Sequence, residues 1–228
     1  MQYIDEGLAV ISKKEFKKKL KSDLYYAYEY DLDTVLYKRL YVKYFLGKLD
    51  PLSRHQLFSL LTRRNNVDTT QNMVIHYQDT LKAKESFPRR DEIVWNKDGT
   101  HKHLISYNTF IKGHKRCNST YRKKYKGKLY HFYNFNTGHP EQYKDLIWYK
   151  DHLKMLRRLF YNNSNNKNGW SVTLFPNGDY FIKNWSMDPK LAEELQNHTN
   201  WEQHLSNFKS RYYRLNPQLN PVENPSGS

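Results

Sequence analysis

The chain carries a single cysteine, Cys117, only nine glycines, and no Asp or Glu anywhere from Gly99 to Pro140. Each scarcity excludes something. One cysteine forbids an intramolecular disulfide, and 228 residues bury enough surface to fold without such a staple. A reducing compartment is therefore expected, the cytoplasm of the cell or of a host, or a virion. No apolar run approaches the roughly eighteen residues of a spanning helix, and Met1-Gln-Tyr-Ile-Asp-Glu6 lacks the basic-then-apolar order of an export signal, so no membrane partner is expected. Gly-rich phosphate loops, Gly-x-Ser-x-Gly and His-Glu-x-x-His are all missing, which leaves nucleotide-driven and ordinary hydrolytic chemistry without support and implies no cofactor.

What is present is positive charge and aromatic rings. Lys and Arg number 38 against 23 acids, a formal charge of +15, and the chain has 20 Tyr, 11 Phe and 5 Trp. That balance favours polyanions as partners. Heavy use of Lys, Asn and Tyr also fits an AT-rich coding genome such as those of many phages and plasmids.

The charge concentrates in the acid-free stretch, which holds Lys102, Lys112, Lys115, Arg116, Arg122, Lys123, Lys124, Lys126 and Lys128. Its densest part interleaves these cations with Tyr121, Tyr125, Tyr130 and Phe132, the combination that neutralises phosphates and stacks on bases. Lys112, Lys115, Arg116, Arg122, Lys123, Lys124, Lys126 and Lys128 are the candidate phosphate contacts, with the four rings as candidate stacking surfaces. About six phosphate contacts in a duplex predict a slope near −5 for log affinity against log salt. The competing reading buries one face of an alternating strand at Tyr130, Phe132 and Phe135 and leaves the lysines to solubility.

The same stretch holds a His-x-His and a His-x-x-Cys, and His101, His103, His114 and Cys117 are ligand types that zinc accepts. Their order matches no common zinc spacing, and histidine is also frequent on basic surfaces. A metal-dependent nuclease or phosphoryl-transfer enzyme would need carboxylates beside the bound phosphate. Asp91, Glu92 and Asp98 precede the stretch and Asp145 and Asp151 follow it, but carboxylates at turns and helix starts more often act as caps.

Element signals are strong in places. Ser12-Lys-Lys-Glu15 has capping-box spacing ahead of Phe16, Leu20 and Leu24. Leu36, Leu40 and Tyr44 predict a helix over 33–46 capped by Gly47, and Asp50-Pro51 opens another with Leu57, Leu60 and Leu61 inside. Asp68-Thr-Thr-Gln71 followed by Met73, Val74, Tyr77 and Leu81 predicts a fourth helix, completing a bundle. After Pro88, residues 93–107 read as a hairpin. The basic stretch fits either a pair of helices starting at Ser106 and at Asn118 or Ser119, or a hairpin at Lys126-Gly127-Lys128. Pro140 opens an amphipathic helix through Phe160, Trp170 to Trp185 forms an Asn-Gly hairpin, and Asp188-Pro189 and Trp201 to Tyr212 mark two last helices.

The fold class expected is α+β, mostly helical: a helical region over 1–87, a mixed basic region with β-hairpins and amphipathic helices over 88–215 that shares its core with the first or stands alone, and a Pro-rich extended tail over 216–228 available to protein partners. The function expected is non-enzymatic nucleic-acid binding, with DNA ahead of RNA. The alternatives are a structural part of a nucleoprotein assembly, such as a phage virion, packaging complex or ribosome-like particle, and the metal-dependent nuclease.

Overall fold

In the computed structural model, the described residues are 1–32, 35–96, 101–125, 127–138, 146–161, 171–183 and 187–219. They form β1 (Gln2–Ile4), α1 (Lys13–Leu20), β2 (Tyr25–Leu32), β3 (Val35–Val42), β4 (Tyr44–Lys48), α2 (Pro51–Asn65), β5 (Met73–Leu81), β6 (Glu92–Trp95), β7 (His101–Leu104), α3 (Tyr107–Tyr125), β8 (Lys128–Asn136), β9 (Trp148–Lys150), α4 (Met155–Phe160), β10 (Ser171–Leu174), β11 (Asp179–Lys183), α5 (Pro189–Gln196) and α6 (Trp201–Leu215). Among the described residues six helices stand against eleven strands in three sheets, so the protein is a mixed α+β fold with substantial sheet and not a mostly helical one.

The N-terminal helical bundle is not formed. Two of its four expected helices are strands, because apolar residues four apart share a face in a strand as well as in a helix. Leu36, Leu40 and Tyr44 fall in β3 and β4, where Val35, Tyr37, Tyr41 and Val42 supply the β-branched and aromatic residues that pleated backbone favours. Gly47 is not a helix cap but a strand residue opposite Tyr180, and a Cβ there would overlap the tyrosine ring. Asp68 accepts from the backbone and hydroxyl of Thr70 in a local turn, and Met73, Val74 and Ile75 are all fully buried, as in a strand covered on both faces. The helix expected from Pro140 is confined to α4 at its far end. Trp148–Lys150 is strand, and the start of that helix, 140–145, lies outside the described residues.

Other expectations match. Ser12 and Glu15 form the capping box of α1, and Asp50 caps α2, accepting from Ser53 N at 2.9 Å. The hairpin β6–β7 is antiparallel, and Asp188 caps α5. β10 and β11 flank an Asn177-Gly178 turn in which Gly178 takes φ 90°, a left-handed value that glycine adopts without strain. Among the described residues no helix is long and apolar enough to cross a membrane.

The chain divides into two compact units, each built from separated segments. The first comprises 1–49, 160–172 and 179–228. There β1 pairs parallel to β3 and β2 antiparallel to it, β4 pairs antiparallel with β11, and Phe208 of α6 packs on Tyr44 and Phe45 at 5.8 and 5.0 Å. A buried polar network closes this unit. Glu6 accepts from Lys19 and Tyr25, and the Tyr25 hydroxyl accepts from Asn216 at 2.8 Å. Lys19 thus lies inside with Phe16 and Leu24, while Leu20 is 40% exposed. Of the tail, Asn216 is buried, 217–219 form a 3₁₀ turn, and 220–228 lie outside the described residues. The second unit, 50–159 and 173–178, holds every candidate site residue.

Candidate functional site

Three adjacent parallel strands, β5, β8 and β9, form the platform. Parallel neighbours need a crossover, and the segment from β5 to β8 makes it through the hairpin β6–β7 and then α3. Register sets the faces. His76 lies opposite His131, and His131 opposite Trp148, so the three project from one row on one face. On the other face Phe132 lies opposite Tyr77 and Tyr149, and its ring meets Tyr149 at 5.5 Å.

The helix α3 covers the histidine face. Ser106 opens it by accepting from Thr109 N, and Asp91 accepts from Ser106 N at 2.7 Å and Thr109 Oγ1 at 2.8 Å, tying the hairpin base to the helix start. The helix runs on through Gly113, where nothing crowds the α-carbon, so the two-helix reading of this stretch is replaced by one nineteen-residue helix followed by a strand. Positions 107, 110, 111 and 114 repeat at helical spacing on its inner side. Tyr107, Phe110 and Ile111 pack with Leu81, Tyr133, Leu146 and Trp148, and the Phe110 ring lies parallel to Trp148 at 6.2 Å.

His114 descends from α3 onto the strand histidines. Its ring lies 4.6 Å from His131 and 6.0 Å from His76, and the two strand rings are 5.4 Å apart. One ligand nitrogen from each falls within 4.8 Å of the others, the single such group of three metal-ligating side chains among the described residues. His131 is 1% exposed, and neither of its ring nitrogens has a hydrogen-bond partner; His114 Nδ1 is likewise buried and unpartnered. Burial pushes the His114 imidazole down to about 4, and burial reinforced by its two histidine neighbours pushes His131 down to about 2. Both rings are therefore neutral at physiological pH, the form that binds metal.

The four sequence-derived zinc candidates are not gathered. His114 belongs to the group above, Cys117 is exposed on α3, and His101 and His103 stand exposed on β7 with their rings 4.9 Å apart. His76 and His131 had no local signal in the sequence, since only the β5–β8 register brings them together.

The opposite side of α3 carries the charge. Lys112, Lys115, Arg116, Arg122 and Lys123 are exposed and follow helical spacing along one face, about 16 Å from end to end at 1.5 Å per residue. Tyr121, Lys124 and Tyr125 lie on the last turns of the helix, and Lys126 lies outside the described residues. Lys128 pairs with Asp68 at 3.0 Å. Tyr130 and Phe132 are 8% and 1% exposed within β8 and present no free ring to a base. Rings that are free stand on the hairpin instead: Trp95 is 67% exposed and lies 4.8 Å from His101. The sequence signal for this is Ile93-Val94-Trp95, apolar at both parities along one strand, so that one side chain at least faces away from whatever the other face packs on.

Of the carboxylates weighed for nuclease chemistry, Asp91 and Asp151 hold backbone, and Glu92 is exposed at the start of β6. Asp91 anchors the α3 start as described, and Asp151 accepts from Leu156 N and Arg157 N at 3.0 Å each and from the Tyr77 hydroxyl. Asp98 and Asp145 lie outside the described residues. No known protein family matches this chain, and no curated protein or solved structure is similar to it, so the site is read from its own geometry.

Proposed function

We propose that the protein binds nucleic acid without catalysis, through the solvent face of α3, with DNA ahead of RNA. The observation that carries this is the alignment of Lys112, Lys115, Arg116, Arg122 and Lys123 on one exposed helical face with no acid in the helix. A folded helix holds its cations in fixed register, so less ordering entropy opposes binding than on a disordered tail. A single α-helix fits the major groove of a duplex, and phosphate contacts fix its position there. Exposed Trp95 with His101 offers rings for an unstacked base. The lone exposed Cys117 suits a reducing, cytoplasmic setting.

The test is purification at low salt without a tag, followed by nuclease treatment, and titration of labelled duplex DNA, single-stranded DNA and RNA. Nucleic acid is expected to co-purify and to be released by nuclease, and binding to fall when Arg116, Arg122 and Lys123 are replaced with Ala. Absence of bound nucleic acid together with unchanged binding by the triple variant refutes the reading. Equal affinity for every duplex, with sedimentation on a particle, assigns the same surface to a nucleoprotein assembly.

A further inference from the structure

The histidine group on the inner side of α3 has no part in phosphate binding, yet it is the least expected feature of the core. A neutral imidazole carries one N–H donor and one acceptor, and burying either without a partner is unfavourable. His131 leaves both unanswered, and His114 adds a third orphan nitrogen beside them. Aromatic packing alone does not call for histidine at these positions, since Phe or Leu would fill the row between β5 and β8 without stranding polar atoms.

We propose that His76, His114 and His131 bind one divalent first-row transition-metal ion, zinc by ligand chemistry, which fastens α3 to the β5–β8 pair. Three imidazoles without a carboxylate suit zinc and its neighbours and not magnesium or calcium, which take oxygen ligands. Tetrahedral zinc with bonds of 2.0–2.1 Å sets its ligand nitrogens about 3.4 Å apart. The nitrogens here lie within 4.8 Å of one another, so closing on the ion requires them to draw together by up to about 1.4 Å. His131 comes from the strand register and His76 from its direct partner in β5, which fixes two ligands on one rigid surface before α3 supplies the third. No fourth His, Cys, Asp or Glu joins the group among the described residues, so water takes the remaining position. His76 and His114 are only half-buried, which leaves that position a route to solvent.

The experiment uses the full chain, purified without a His tag, with metal content measured by mass spectrometry. About one zinc per chain is expected. Stripping with a chelator should lower the melting temperature, and zinc added back at a hundredfold excess over its Kd should restore about 5–10 °C. Cobalt in place of zinc should give the visible absorption of a tetrahedral site. His76→Ala and His114→Gln, both at half-buried positions, should each keep the far-UV spectrum and weaken metal binding at least ~100-fold, whereas His101→Ala/His103→Ala should leave it unchanged. A folded wild-type chain that retains no metal and does not respond to added zinc overturns the proposal. So does loss of metal in the His101/His103 double variant with retention in His76→Ala, which would place the ion on the hairpin. These readouts involve no nucleic acid, so the outcome is independent of the DNA-binding reading.

Discussion

If the exposed face of α3 is the phosphate-binding surface, its salt dependence is set by the number of exposed cations on it. Five are exposed, Lys112, Lys115, Arg116, Arg122 and Lys123; Lys128 is discounted because it pairs with Asp68 at 3.0 Å. Each phosphate neutralised contributes about −0.9 to the slope of log affinity against log salt, so a duplex should show about −4.5. Between 50 and 200 mM salt this amounts to a loss of about 500-fold. Replacing Arg116, Arg122 and Lys123 with Ala leaves two contacts and a slope of about −1.8, or a loss of about 12-fold over the same range. Alanine is the strongest helix former, so α3 survives the change. The assay is fluorescence anisotropy of a labelled duplex at several salt concentrations. A matched control, Lys13→Ala/Lys17→Ala/Lys18→Ala, removes the same charge from exposed positions on α1 and should leave the slope near −4.5. Equal slopes for the α3 triple variant and wild type, or an equal drop in the α1 control, would refute a localised site and assign binding to net charge.

Three further outcomes follow from the fold. Glu6→Ala leaves the buried Lys19 ammonium with the more distant Asp5, at 3.8 Å, and should cost about 3 kcal/mol in denaturant unfolding, while Glu6→Leu with Lys19→Met should recover part of it. Gly138→Ala would drive a Cβ into the Lys82 carbonyl, a backbone group that has no rotamer to yield, and should destabilise by about 1–3 kcal/mol, with Gly113→Ala neutral or slightly stabilising as the comparison. Burial raises the Asp151 carboxyl above the ordinary carboxylate range, so its contribution to stability is present at low pH and is lost as pH rises through the raised value; Asp151→Asn does not titrate. The stability of wild type relative to Asp151→Asn should therefore decline as pH rises from about 3 to 7, and a constant difference would show that the site is not desolvated.

The parts of this fold that were legible in the sequence are those decided by a few adjacent residues. Ser12 with Glu15, Asp50-Pro51, Asp188-Pro189 and the Asn177-Gly178 turn each specify a local geometry that tertiary packing does not override. What misled was apolar spacing of four, the one interval that strands and helices share. At β5 the deciding signal was the continuous apolar run Met73-Val74-Ile75, which an amphipathic surface helix would not carry. The basic face of α3 was readable as composition but not as geometry, since the stretch fitted a helix pair and a hairpin equally. Of the histidine group only His114 stands out in the sequence, as one of the four zinc candidates, and the residues paired with it there are not its neighbours in the fold. The members of the group come from residues 76, 114 and 131, and only strand register and a long crossover make them neighbours.

The contact between Tyr25 and Asn216 spans 191 residues. A ribosome adding about 5–20 residues each second delivers Asn216 some 10–40 s after Tyr25. Throughout that interval β1 to β4 exist without the α6 residues that cover Tyr44 and Phe45, and without β11 as the partner of β4. In that interval the strands of residues 1–49 lack the aromatic cover of α6, while the nearly continuous segment 50–159 can begin to fold as it emerges. The order of synthesis thus separates the strands of residues 1–49 from the helix that covers them, although the folded unit holds the two together.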